Sequence, residues 1–106
     1  MTVEYTERAR KHILETVDWL LDRSNQAAEN WIIGLESAVD GLKVNPERYG
    51  FAPENSSHDI EIRQVLYGKR RGQYRVLFTI DVNRVVVLDV RHASRLWADP
   101  GSLGSD

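Results

Sequence analysis

Four consecutive aliphatic residues, Val85-Val86-Val87-Leu88, constrain this chain more than any other feature. Side chains along a strand alternate between faces, so an unbroken apolar run demands cover on both sides. The run therefore predicts a central strand, from Arg84 to Arg91. The stretch before it, Tyr74 to Ile80, alternates cleanly. Tyr74, Val76, Phe78 and Ile80 fall on one side, and Arg75, Leu77 and Thr79 on the other. Asp81-Val82-Asn83 joins the two strands as a short hairpin loop, with Asn83 expected in the left-handed conformation. A third alternating stretch runs from Ile60 to Tyr67. The glycine-bracketed turn Gly68-Lys69-Arg70-Arg71-Gly72 connects it to the second.

The first half of the chain has a different period. Thr2 to Tyr5 alternates briefly and predicts a short strand. Thr6 suits a helix N-cap, because its hydroxyl can accept an orphan N–H of the first turn. From Glu7 to about Arg23, Ala9, Ile13, Val17, Leu20 and Leu21 recur at helical spacing. Ser24 starts a second helix, whose stripe is Ala28, Trp31, Ile32, Leu35, Val39 and Leu42. Asn45-Pro46 ends it, since the residue before proline resists the helical region. So short a connection predicts an antiparallel helical hairpin. Residues 45–59 hold two prolines, a glycine and a polar cluster, which forbid regular structure. A loop this long is packed by its aromatics or functional; packing by Tyr49 and Phe51 is the preferred expectation.

The element order is thus β-α-α-β-β-β. The fold class is α+β, with the helical hairpin packed on one face of a small, mainly antiparallel sheet. At 106 residues the chain suits one domain. Residues 1–97 form it, and 98–106, rich in glycine and serine, read as a flexible tail. The face with Tyr74, Val76, Phe78 and Ile80 should meet the helices, and Arg75 should emerge on the other.

Several chemistries are excluded early. With no cysteine, disulfides, thiolate catalysis and cysteine-based zinc sites are impossible. That fits a cytoplasmic location. No apolar run is long enough to span a membrane, and the N-terminus lacks the apolar core of a signal peptide. His12, His58 and His92 have no metal-ligand spacing, and no nucleotide loop or hydrolase motif occurs, so no metal or cofactor is expected. The net charge of −2 is unevenly spread. Residues 1–57 carry six basic and ten acidic side chains, whereas residues 58–97 carry eight basic and four acidic ones. Such a chain can present one basic face to RNA, DNA or an acidic protein.

The candidate functional residues lie in that basic half. Arg75 interrupts an apolar strand and needs a partner or an open face. It is either a structural salt bridge to Asp89 or Glu61, or an anion contact. His92 closes the last strand beside Arg91, with Arg95 three residues on. It is either a proton carrier, kept neutral by its cationic neighbours, or a strand-end cap bonded to a backbone carbonyl. Arg63, Lys69, Arg70, Arg71 and Arg91 are candidate contacts to a target or nucleic acid, or merely solubilising charge. Trp19 and Trp31 read as core or partner surface.

The order and spacing of these pieces resemble one family. A Thr-capped helix follows a short strand, and a helical hairpin ends in Asn45-Pro46-Glu47-Arg48. Then come Ala52-Pro53-Glu54, Ile62-Arg63-Gln64 with Leu66-Tyr67-Gly68, Tyr74-Arg75-Val76-Leu77-Phe78, and Val87-Leu88-Asp89-Val90-Arg91-His92-Ala93-Ser94-Arg95. Over roughly residues 2–95 the chain is similar to the RelE/ParE toxins of type II toxin–antitoxin systems, often called plasmid stabilisation proteins. The resemblance implies a cognate antitoxin that masks the toxin, and either a homodimer or a toxin–antitoxin hetero-oligomer. It leaves the target open. RelE-like members are metal-independent endoribonucleases that cut messenger RNA on the ribosome. By resemblance Arg75, His92 and Arg95 are the catalytic candidates for that activity. ParE-like members instead poison DNA gyrase. This sequence lacks the lysine-rich second strand and a tyrosine after Asp81, and its long hairpin and acidic pI are closer to the ParE branch. A binding-only member that docks its antitoxin without toxicity is the third reading.

Overall fold

In the computed structural model, residues 1–57, 59–69 and 72–94 are described. The order is β1 (Thr2–Tyr5), α1 (Glu7–Leu21), α2 (Asn25–Leu42), β2 (Arg63–Tyr67), β3 (Tyr74–Asp81) and β4 (Arg84–His92). Two 3₁₀ turns, Pro46–Arg48 and Pro53–Ser57, punctuate the loop before β2. The sheet runs β1-β4-β3-β2, with β1 parallel to β4 and the other neighbours antiparallel. This is the expected α+β architecture, and the Val85–Leu88 run lies in a central strand as its composition requires. The tail, 98–106, lies outside the described residues.

The helix boundaries follow local chemistry. Thr6 Oγ1 accepts the Ala9 N–H at 3.1 Å and Ser24 Oγ accepts that of Ala27 at 3.2 Å, so each helix opens on a hydroxyl cap. Asp22 caps the C-terminus of α1 in the right-handed region, and two residues later Ser24 caps α2. That brevity forces the antiparallel hairpin.

Both helices cover one face of the sheet. Val76, Phe78, Val85, Val87 and Val90 meet Ala9 of α1 and Trp31, Leu35, Val39 and Leu42 of α2 in the main core. Burying an aliphatic or aromatic side chain contributes about 1.5–3 kcal/mol. With five buried residues against one, α2 therefore supplies more of the stabilisation than α1. Tyr74 and Ile80 pack at the margins of this core, so the expected inward face of β3 is observed.

The opposite face is covered as well. The loop after α2 folds across it, and Ala52, Ile62, Leu77 and Leu88 form a second, smaller cluster against Val86. Phe51 bridges to Arg63, and the Gln64 N–H donates to Gly50 O at 3.1 Å, so the loop also lines part of the outer edge of β2. The preferred expectation of a packed loop holds for Tyr49, whose ring meets Phe78 edge-on. Phe51 is half exposed and stacks under Arg63 instead.

Two local expectations are corrected, and the last strand carries an irregularity. β2 begins at Arg63, not Ile60, because Ile62 bonds to the loop rather than to β3: its N–H goes to Asn55 Oδ1 and its carbonyl accepts from Ala52. In the β3–β4 turn the left-handed residue is Val82 (φ 55°), not Asn83. Val82 is almost wholly exposed, so its side chain gains no packing in return for that strain. Finally, β4 is bulged. Leu77 faces Asp89 while Phe78 faces Val87, which leaves Leu88 as the extra residue.

Candidate functional site

Arg75 lies on the loop-covered face of β3, not in the open. Its Nη1 and Nη2 donate to Glu54 Oε1 and Oε2, both at 2.9 Å, and Nη1 also reaches Gln64 Oε1 at 3.1 Å. The side chains of Arg75 and Glu54 are 7% and 0% exposed. This is a fork-on-fork ion pair, the geometry in which guanidinium and carboxylate match best. The salt-bridge partner is thus Glu54, rather than the Asp89 or Glu61 that the sequence suggested. Glu54 sits in the second 3₁₀ turn, so the pair fastens the long loop to the sheet.

His92 is placed differently. It pairs with Tyr74 across the strands, and Arg91 pairs with Arg75. Alternation then puts His92 on the helix side of the sheet and Arg75 on the loop side. The His92 ring packs edge-on to Tyr74. Its Nδ1 accepts the Ser94 N–H at 3.1 Å and lies 2.6 Å from Ser94 Oγ. It therefore caps the strand end, but through an amide N–H and a hydroxyl rather than a carbonyl. With Nδ1 accepting, the neutral ring carries its proton on Nε2. Arg95 lies outside the described residues.

The residue that sequence reasoning undervalued is Asp89. β1 stops at Tyr5, opposite Val87, and beyond it the edge of β4 faces the start of α1. Thr6 N–H donates to Val87 O and Thr6 Oγ1 to Leu88 O, both at 3.1 Å. There Asp89, fully buried, accepts from Arg8 Nε at 3.1 Å, the Val90 N–H at 2.8 Å and Arg91 Nη1 at 3.3 Å. His12 Nδ1 lies 2.5 Å from Oδ1, the oxygen that also accepts the Val90 N–H. One carboxylate thereby orients two guanidiniums and an imidazole from two elements. A signal existed: Arg8 and His12 are four apart and share a helix face, and an aspartate among valines demands partners.

Beside this cluster a cleft of about 470 Å³ opens between α1 and the end of β4, lined by His12, Glu15, Thr16, Trp19, Tyr74, Arg91 and His92 among others. It is the place where two candidates, Arg91 and His92, come together. Arg63 is occupied elsewhere, donating to Glu47 O at 3.1 Å and Tyr49 O at 2.7 Å. Lys69 is exposed at the β2–β3 turn. Arg70 and Arg71 lie outside the described residues. Trp31 is core, whereas Trp19 is 51% exposed. Among the described residues, no three His, Asp or Glu side chains gather as a metal site, and no helix is long and apolar enough to cross a membrane.

A family model described as the ParE toxin of the type II toxin–antitoxin system, parDE, matches residues 3–97. The chain belongs to the ParE toxin family. A solved structure described as the chromosomal ParDE toxin–antitoxin system from P. aeruginosa is similar to this ParE-family chain, with a TM-score of 0.66. Identity is 11%, and the match covers 87% of this chain and 95% of the other, so the likeness is one of fold. No curated protein matches the chain in sequence.

Proposed function

We propose that this chain is a toxin that arrests growth by inhibiting DNA gyrase in the cytoplasm, and that a cognate antitoxin binds and relieves it. Membership of the ParE family supports the toxin role and the antitoxin partner. The choice of gyrase over messenger RNA rests on one observation. Arg75, the strand arginine of the nuclease reading, is closed in a buried pair with Glu54 and faces away from His92. A nuclease needs its anion-stabilising and proton-moving groups within reach of one phosphate. With Arg75 closed on Glu54 under the loop, it and His92 do not meet that requirement. Inhibition of another macromolecule needs only a surface.

Inducing the chain alone in cells should stop growth, and co-expression of the neighbouring reading frame should restore it. Purified toxin should block supercoiling and accumulate gyrase–DNA cleavage complexes. Unchanged supercoiling at micromolar toxin, together with messenger RNA cuts at the ribosomal A site, would reverse the choice of target. Normal growth on induction would instead favour a binding-only member.

A further inference from the structure

The cleft between α1 and the end of β4 has a chemistry that growth inhibition by itself does not require. Its volume, about 470 Å³, lies within the range of small-ligand sites. Three features of its walls point the same way. First, His12 and Arg91 are held by the same buried carboxylate, Asp89, so their orientation is fixed before any ligand arrives. Second, His92 has its Nδ1 taken by the Ser94 N–H, which leaves Nε2–H as the donor of that ring. Third, Trp19 lines the same cleft while half exposed, although α1 directs its buried stripe elsewhere. The Arg23 guanidinium lies over the Trp19 ring, 3.6 Å from its centroid, so it covers one face of the indole while adding positive charge beside it.

Cationic donors alone would accept any anion. The half-open indole adds flat apolar surface on which a base can stack, whereas the Tyr74 ring is taken up by Tyr67, Trp31 and His92. We propose that this cleft binds a nucleoside phosphate unit, with the base against Trp19 and the phosphate against the Arg91 guanidinium and the His92 Nε2–H. The unit can be a free nucleotide or part of a single strand, since both present the same base and phosphate. Glu15, on the same wall, opposes the phosphate and limits the affinity. The site is independent of the gyrase reading: it does not use the Arg75–Glu54 pair.

Calorimetric titration of the full chain with AMP, and with ribose 5-phosphate as the control lacking a base, tests the idea. Fluorescence anisotropy with a labelled oligothymidylate supplies the strand arm, and the same oligonucleotide in a duplex supplies its control. AMP should bind about tenfold or more tightly than ribose 5-phosphate, the usual weight of one stacked base. Trp19→Ala should remove that advantage, His92→Gln should weaken both ligands, and Glu15→Gln should tighten both. Affinity should fall as salt rises. Tighter binding of the oligonucleotide than of AMP would assign the site to a strand; AMP bound at least as well would assign it to free nucleotide. Circular dichroism confirms that each variant is folded, and all three changes are at partly exposed positions. The proposal is overturned if AMP and ribose 5-phosphate bind alike, or if Trp19→Ala and His92→Gln behave as the parent. It is equally overturned if only duplex binds, or if nothing binds at millimolar ligand.

Discussion

Replacing Glu54 by alanine removes one half of the most deeply buried ion pair described. Arg75 then keeps a single acceptor from that set, Gln64 Oε1 at 3.1 Å, while its side chain remains 7% exposed. Removing one member of a buried pair typically costs about 3–5 kcal/mol, because the remaining charge is desolvated without compensation. A domain of this length has roughly 5–15 kcal/mol in total, so the loss is a large fraction of it. At about 4–8 °C per kcal/mol, Tm should fall by roughly 12–40 °C. Urea unfolding followed by circular dichroism measures the difference directly. The double replacement Glu54→Leu with Arg75→Met is the informative control. It removes both charges at similar volume, and buried pairs exchanged in this way are often neutral or stabilised. Stability should therefore return to within about 2 kcal/mol of the parent. The reasoning fails if Glu54→Ala costs less than about 1 kcal/mol, or if the double variant is no better than the single one.

Two smaller effects follow from single hydroxyls. Tyr67 Oη is buried without a hydrogen-bond partner among the described residues, and burial, with Tyr74 second, pushes its pKa far above the usual tyrosine value of 10.0. The unfolded chain ionises this group near pH 10 while the folded one keeps its proton, so the contribution is intact below pH 10 and is lost as pH rises beyond it. Tyr67→Phe should thus flatten the alkaline fall in stability measured by urea titration between pH 9 and 11, with the parent falling more steeply. Thr6→Ala should cost about 1 kcal/mol as a lost cap, and more in total, because Oγ1 also donates to Leu88 O; hydrogen exchange in the first turn of α1 should rise with it.

The fold was legible where periodicity carried the information. Alternation in β3 and the apolar run in β4 depend on neighbours in sequence, and both were found where the residues implied. The hydroxyl caps at Thr6 and Ser24 were equally local. The candidate site was less legible because its partners come from distant segments. Glu54 sits in a proline-containing loop with no period, so nothing local ties it to Arg75, although an arginine in an apolar strand did announce that some partner existed. The opposite orientations of Arg75 and His92 required knowledge of the strand register. His12 carried no motif, and its importance appeared only once α1 was laid against the open edge of β4. The expectation of a broad basic face assumed that arginines in the second half pointed outward. Arg63 and Arg75 instead turn into the loop, where carbonyls and Glu54 receive them.

The bulge at Leu88 bears on how the chain finds its pairing. Val85 and Val87 meet the helices before it, whereas Val90 does so after it, so the inward positions change from odd to even numbers within one strand. A β3–β4 hairpin zipped without the bulge would satisfy one half of that pattern and invert the other, turning valines outward or Asp89 inward. No continuous misregister buries both halves, and half-correct hairpins gain too little to persist. The irregularity thus singles out one pairing among the near-degenerate alternatives that a uniformly valine-rich strand would otherwise offer.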